Sequence, residues 1–351
     1  MQIPLPNMPD TAPLKAYLDT RPRRVAITTH QRPDGDAIGS SLGLYHFLTG
    51  LGHKVSVVTP TDYADFLKWL PGNDHVLVGP DDVDKAKWTF DGADIIFCLD
   101  FNALHRIGEF RAVVKDSDAV KVLMDHHLDP EDFAEYKFWD ATASSAAEMV
   151  FRLIVDMGQG DAISQECAQA LYVGLMTDTG SFRFTSTTPA VHQMAAKLLE
   201  AGADPNLSYD KIFNQASETR LKLIGHALSN CLHILPELRT AYIKLERPVF
   251  KQFNVKTGDT EGLVNYALGM KGIDLAILMT TQDDLVKLSI RSRSGVSSSD
   301  FAAHFEGGGH FYAAGGRSKG TVEETETRML ELLKTYMATQ PASTPQPVQD
   351  A

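Results

Sequence analysis

Four short segments hold the side chains of this 351-residue chain that could do chemistry, and each follows an apolar run. The first, HQRPDGD, places His30, Asp34 and Asp36 in one tight loop. The second is Asp100, closing IIFCL; the third is the run Asp125, His126, His127, closing VLM. The fourth is Asp178, in a TDTGSF turn after the block that ends at Met176. Carboxylate oxygens and imidazole nitrogens without a thiolate suit a borderline-hard divalent cation, Mn2+ best, with Mg2+ allowed and Zn2+ also less favoured. Two ions need more ligands than one loop can give, and four segments supply six candidates. With one carboxylate shared they fit two ions roughly 3.5 to 4 Å apart, a pair that turns bound water into hydroxide near neutral pH and neutralises phosphoryl oxygens. Such chemistry needs no Ser or Cys nucleophile.

Taken singly, each segment has a plainer reading. PDGD is a common turn with surface carboxylates; an Asp ending a strand usually caps a helix or faces water; neighbouring histidines are often partly exposed; Asp178 could cap its own turn. Their shared position decides against this, because all four fall at one edge of the inferred sheet, where clustered carboxylates repel one another unless a cation intervenes.

The elements that must position them alternate. Residues 24–29 read as a strand and 38–51 as a helix; 53–59, 93–100 and 120–125 are further strands. Residues 145–157 read as a helix between two strands, with Ser145 and Glu148 forming a capping box and Gly158 at the C-cap. This predicts an α/β fold with a mainly parallel, doubly wound sheet, whose ligands collect at the carboxyl ends of strands. Helical blocks at 165–176 and 189–201 complete a metal-binding domain over 12–210, and 211–237 reads as a helical linker. Strand-like segments at 240–246, 275–281 and 285–292, a glycine-dense run and a helix at 321–336 give a smaller α/β domain over 238–338, with the active site expected in the cleft between the two. The tail, 339–351, has too few large apolar residues to offset its ordering entropy and is expected to be disordered.

The bulk numbers narrow the function. A 43% hydrophobic, 22% charged composition is that of a protein with real cores. A net charge of -12 excludes a surface built to grip long nucleic acid, which needs Lys and Arg in surplus. Cys98, Cys167 and Cys231 form no CxxC pair and are odd in number, which fits a reducing compartment and buried apolar roles. No leader-like N-terminus and no apolar run long enough to span a bilayer is present, so a cytoplasmic enzyme without membrane attachment is expected.

At these residues the chain resembles the DHH phosphoesterase family, in particular its short members acting as nanoRNase and 3'-phosphoadenosine 5'-phosphate phosphatase. The likeness runs from Arg24 to about Tyr336 and rests on HQRPDGDAIGS, CLDF, Asp125-His126-His127, TDTGSF and the GGGH segment at 307–310 followed by AAGG. The last of these looks like the family's DHHA1 accessory domain. The resemblance implies that His30, Asp34 and Asp100 hold one Mn2+ and that Asp36, Asp100, His126 and Asp178 hold the other, with Asp100 bridging. It places His127 at the scissile phosphate or leaving oxygen as a proton donor, and Asp125 behind a histidine, orienting it. In the second domain it points to Arg291 and Arg293, on alternate positions of SIRSR, for a second phosphate, and to Gly308, Gly309 and His310 for backbone and side-chain contacts to an anion. Arg106, near Asp100, and Arg183 are weaker candidates. The family's extra oligonucleotide-binding domain and membrane or sensory segments are not seen.

The expected substrates are therefore very short oligoribonucleotides, hydrolysed to nucleoside monophosphates, and nucleoside bisphosphates such as 3'-phosphoadenosine 5'-phosphate, hydrolysed to AMP; a homodimer is compatible. A dinucleotide second-messenger phosphodiesterase, acting on pApA or a cyclic dinucleotide, and an inorganic pyrophosphatase are neighbouring alternatives. A non-catalytic nucleotide sensor is an alternative of another class.

Overall fold

The computed structural model describes residues 9–256, 258–282 and 285–341; most of the proline-rich tail, 342–351, lies outside them. The chain divides into two compact units after Gln215.

In the first unit, β1 (Arg24–Thr28), β2 (Lys54–Thr59), β3 (Val76–Val78), β4 (Ile95–Leu99), β5 (Val120–Asp125) and β6 (Tyr136–Trp139) form one sheet in the order β3-β2-β1-β4-β5-β6. Every pairing in it is parallel. The helices are α1 (Ala12–Asp19), α2 (Gly35–Gly50), α3 (Gly79–Asp91), α4 (Arg111–Asp116), α5 (Ala146–Asp156), α6 (Gln165–Asp178), α7 (Pro189–Glu200) and α8 (Pro205–Phe213). Parallel strands need crossovers, and the crossovers cover both faces, so the central strands read as unbroken apolar runs. β4 shows this directly. Ile95, Phe97 and Leu99 join a core with Ile38 and Leu42 of α2, Val150 of α5 and Leu171 of α6, while Ile96 and Cys98 join another with Phe90 of α3 and Val114 of α4. The strand order reverses between β1 and β4, and the crevice beyond their carboxyl ends is where such sheets take ligands.

Three local expectations change. The helix expected from 38 starts at Gly35, because Asp34 caps it by accepting from the N–H groups of Asp36 and Ala37. Asp36 thus stands on the first helical turn rather than in the loop. α5 does not lie between two strands: the short edge strand β6 precedes it, and the unit then continues as helices. Ser145 caps α5 as expected, its Oγ accepting from Glu148 N at 3.0 Å, but the Glu148 carboxylate turns to Ser144 and Arg152 instead of closing the box. Gly158 follows the end of α5 at φ +71°, as its C-cap position requires.

The second unit comprises α9 (Glu218–Asn230), β7 (Leu232–Leu235), β8 (Thr240–Leu245), α10 (Arg247–Gln252), α11 (Leu263–Leu268), β9 (Leu275–Gln282), β10 (Leu285–Ser292), α12 (Ser298–Ala303), β11 (Gly308–His310), β12 (Ala313–Lys319) and α13 (Val322–Thr339). Its sheet runs β11-β12-β10-β9-β8-β7, parallel between β8 and β9 and antiparallel elsewhere. Leu232–Leu235, read as the end of a helical stretch, is strand β7, because it pairs in register with β8. Ile277, Met279, Leu288, Phe301, Met329 and Leu333 form a core of the unit's own, on which α13 docks behind a Thr321–Glu324 capping box. Among the described residues no helix is long and apolar enough to cross a membrane.

Candidate active site

Each chemically capable side chain of the first unit is placed by a distinct local device. His30 follows β1, and its loop is tied down by the Gln31 N–H, which donates to Arg106 O at 2.8 Å. Asp36 is buried, and its two oxygens accept from Ala146 N at 2.6 Å and Ala147 N at 2.9 Å, the first amides of α5. The positive end of that helix favours a carboxylate. Asp100 leaves β4 with φ +61°, a left-handed conformation that non-glycine residues seldom adopt and that clusters at functional sites. Asp125 ends β5, and His126 and His127 follow it.

Asp178 is the last residue of α6 rather than part of the following turn, since the helix runs on to a cap at Thr179. It lies four residues after Gly174 and so on the same helix face. Here α2 and α6 approach closely: a Cβ at Gly39 would meet Ala170 O and Gly174 N at 2.6 Å, and one at Gly174 would meet Asp36 Oδ1 at 2.9 Å. Glycine is required at both positions for the carboxylates of the two helices to converge. Its signature is the four-residue spacing of Gly35, Gly39 and Gly43, which the motif reading passes over.

The donors then meet. His30 Nε2 lies 3.3 Å from Asp100 Oδ2. His126 Nε2 lies 3.4 Å from Asp100 Oδ1, 3.4 Å from Asp178 Oδ2 and 3.7 Å from Asp36 Oδ2. The two oxygens of Asp100 therefore face different histidines. Donor atoms of His30, Asp34 and Asp100 fall within 4.8 Å of one another, as do those of Asp36, His126 and Asp178, and those of Asp100, Asp125 and His127. The ring orientations are set from behind: Nδ1 of His30 faces Gln31 O at 2.9 Å and Nδ1 of His126 faces Ala143 O at 3.2 Å. A carbonyl only accepts, so each Nδ1 carries a proton and Nε2 is the nitrogen aimed at the carboxylates: it donates to them while the ring is protonated and is left free for a metal once the ring is neutral. His127 Nδ1 lies 2.8 Å from Asp125 Oδ1, and its carbonyl accepts from Trp139 Nε1 at 2.6 Å.

The electrostatics call for a cation. Burial pushes the Asp36 carboxyl well above the usual range, and the charges of Asp100 and Asp178 add to this. Burial also opposes the charge on Asp100, but bonds from His126 and His30 and the charges of His127 and His30 carry it well below that range. His126 is raised well above 6.5: burial lowers it, and the bond to Asp100 with the charges of Asp178, Asp100 and Asp36 outweighs burial. His30 is raised in the same manner by Asp100 and Asp34. His127 moves the other way, lowered first by burial and also by Arg106, against the pull of Asp125 and Asp100. The protonated imidazoles of His30 and His126 put positive charge directly between the carboxylates. A divalent ion carries more charge on the same donors, so the set fits one.

The second unit's candidates are arranged differently. β10 ends at Ser292, and Arg293, just beyond it, donates to Ile273 O at 2.6 Å and Met270 O at 2.7 Å. Arg291, on β10, donates to Ile290 O at 3.0 Å. Gly308, Gly309 and His310 form β11, laddered against Gly315, Ala314 and Ala313. Arg106 is half-buried on a 3-10 segment, Leu104–Phe110, close enough to influence both His30 and His127, whereas Arg183 is exposed over the Phe184 ring. All three cysteines are buried and unpaired.

Comparison with known proteins follows the same division. Residues 24–175 match the DHH family, N-terminal domain, and residues 240–339 match the DHHA1 domain. A Thermus thermophilus protein named bifunctional oligoribonuclease and PAP phosphatase NrnA is 34% identical over 313 residues, 88% of this chain and 89% of its own. A Bacillus subtilis protein of the same name is 28% identical over 298 residues, 83% of this chain and 88% of its own. Among solved structures, an exopolyphosphatase-related protein from Bacteroides fragilis has a TM-score of 0.90 at 37% identity, over 95% of this chain and 98% of that one. The doubly wound sheet with its carboxylate and imidazole cluster is thus that of a hydrolase of phosphoric esters. The chain belongs to the DHH family, its second unit being a DHHA1 domain.

Proposed function

We propose that this enzyme hydrolyses very short oligoribonucleotides to nucleoside monophosphates and 3'-phosphoadenosine 5'-phosphate to AMP. Two divalent ions, Mn2+ preferred, would be held at its site, one by His30, Asp34 and Asp100 and the other by Asp36, Asp100, His126 and Asp178. The observation that carries the reading is that the two oxygens of Asp100 face two histidines belonging to different donor sets. The names carried by the Thermus thermophilus and Bacillus subtilis relatives support the substrate class. When bound, the ions supply a hydroxide nucleophile and charge neutralisation at the phosphoryl oxygens.

The chain's own residues do the rest. Asp125 fixes the tautomer of His127, whose Nε2 then points away from the backbone. Neutral in the free enzyme, His127 takes up a proton from water at Nε2 when a phosphate's negative charge lies against it, and passes that proton to the leaving oxygen. Arg106, beside both His30 and His127, binds the substrate phosphate. In the DHHA1 domain, Arg291, Arg293, Gly308, Gly309 and His310 contact the second phosphate or base.

The test is product analysis with purified protein and Mn2+ on RNAs of two to five nucleotides with defined ends, 3'-phosphoadenosine 5'-phosphate, pApA, a cyclic dinucleotide and pyrophosphate. Monophosphates from short RNA and AMP from the bisphosphate are expected. A marked preference for pApA or the cyclic dinucleotide, or rapid pyrophosphate turnover, overturns the substrate assignment.

A further inference from the structure

α5 carries a charged residue where its pattern calls for an apolar one. Met149, Val150, Phe151, Leu153 and Ile154 are buried, and so is Arg152, at 2% exposure among the largest fully buried side chains of the protein. Its Nη1 donates to Asp140 Oδ2 at 2.7 Å and its Nη2 donates to Glu148 Oε1. Both acids in turn hold the short loop 140–145. Glu148 Oε2 accepts from Ser144 N and Ser144 Oγ, each at 2.6 Å. Asp140 Oδ1 accepts from Thr142 N at 2.9 Å and Thr142 Oγ1 at 2.6 Å, and the Asp140 N–H donates to Asp125 O at 3.2 Å.

That loop serves two metal-ligand candidates at once. Its Ala143 carbonyl receives His126 Nδ1, and the amides of Ala146 and Ala147 directly after it hold the two oxygens of Asp36. Replacing a buried ion pair with apolar side chains is often neutral or stabilising, so stability alone gives little reason for Arg, Glu and Asp to be buried here. Outer partners of ligands, by contrast, decide ring orientation and carboxylate aim.

We propose that Asp140, Glu148 and Arg152 are positioning residues, a buried ionic brace that sets the 140–145 loop so that His126 and Asp36 reach one cation together. This rests on the metal-site reading above. None of the three touches substrate or ion; they act through the Ala143 carbonyl and the first amides of α5.

The experiment compares wild type with Arg152→Met, which keeps the volume and removes the charge, and Glu148→Gln, which keeps an acceptor for Ser144. Mn2+ affinity is measured by calorimetry or by the electron paramagnetic resonance of free Mn2+, beside the thermal unfolding of the metal-free protein. The brace predicts Mn2+ binding of the folded variants weakened about ten- to a hundredfold, in the range for loss of an outer partner, with kcat lowered more than KM is raised. The metal-free unfolding midpoint falls in Arg152→Met, which strands two buried carboxylates, and falls less in Glu148→Gln. A folded Arg152→Met protein that binds Mn2+ as wild type does overturns the brace. Should Arg152→Met fail to fold, wild-type affinity in Glu148→Gln overturns it. Failure of the metal-site reading looks different: wild type itself then binds no Mn2+ that Asp100→Asn or His126→Asn weakens.

Discussion

Asp100 concentrates the chemistry at the scale of single residues. Removing its charge without changing its shape, in Asp100→Asn, takes away the oxygen pair facing His30 and His126 and should cost about 3 kcal/mol or more of transition-state stabilisation, roughly a hundredfold in kcat/KM. The fold should persist, as the circular dichroism spectrum will show; near-wild-type turnover would refute a shared-ligand role. The histidines add a pH signature. In the folded, metal-free protein His126 is raised above its ordinary 6.5, so its contribution to stability is fully present below 6.5 and is lost as pH rises through the raised value. The raised carboxyl of Asp36 acts in the same direction at lower pH, from 3.8 upward. The metal-free unfolding midpoint should accordingly fall as pH is raised above 6.5, with a smaller slope in His126→Asn and in the Mn2+-loaded protein. Equal slopes in all three would contradict it. The donors themselves are legible in the sequence, because their types recur at the ends of apolar runs. Their outer partners are not: nothing local announces that Ala143 O orients His126 or that α5 receives Asp36.

Among elements, the decisive contact is that of α2 with α6. An alanine at Gly39 would drive a methyl to 2.6 Å from Ala170 O and Gly174 N, so the helices must part. Gly39→Ala should cost about 1 to 3 kcal/mol in thermal unfolding and weaken Mn2+ binding by separating Asp178 from Asp36. Gly50→Ala, whose added methyl meets nothing, is the control and should change stability by no more than about 0.5 kcal/mol. The central strands and α2, α5, α6 and α7 are readable from periodicity and caps. β3 and β6, of three and four residues at the sheet's two edges, offer too short a pattern to detect. The α2 and α6 interface escapes for another reason: helical glycines read locally as weak points, and only the partner helix gives them a purpose.

For the whole molecule the net charge of -12 bears on how long a substrate can gain affinity. An acidic surface gains little by counterion release, so a long single strand should earn no affinity beyond what its terminal nucleotides supply. Measured kcat/KM should fall as RNA is lengthened from two nucleotides, and raising salt should weaken binding of long and short substrates alike. A steeper salt dependence for longer strands would reveal a basic track. The two-unit plan is legible in the change of texture near residue 238, whereas the strand nature of 232–235 emerges only once β8 is there to pair with it.

The candidate metal donors are strung from His30 to Asp178, and the last of them stands on a helix that follows all six strands of its sheet. A chain still emerging from the ribosome therefore holds an incomplete donor set until α6 docks against α2.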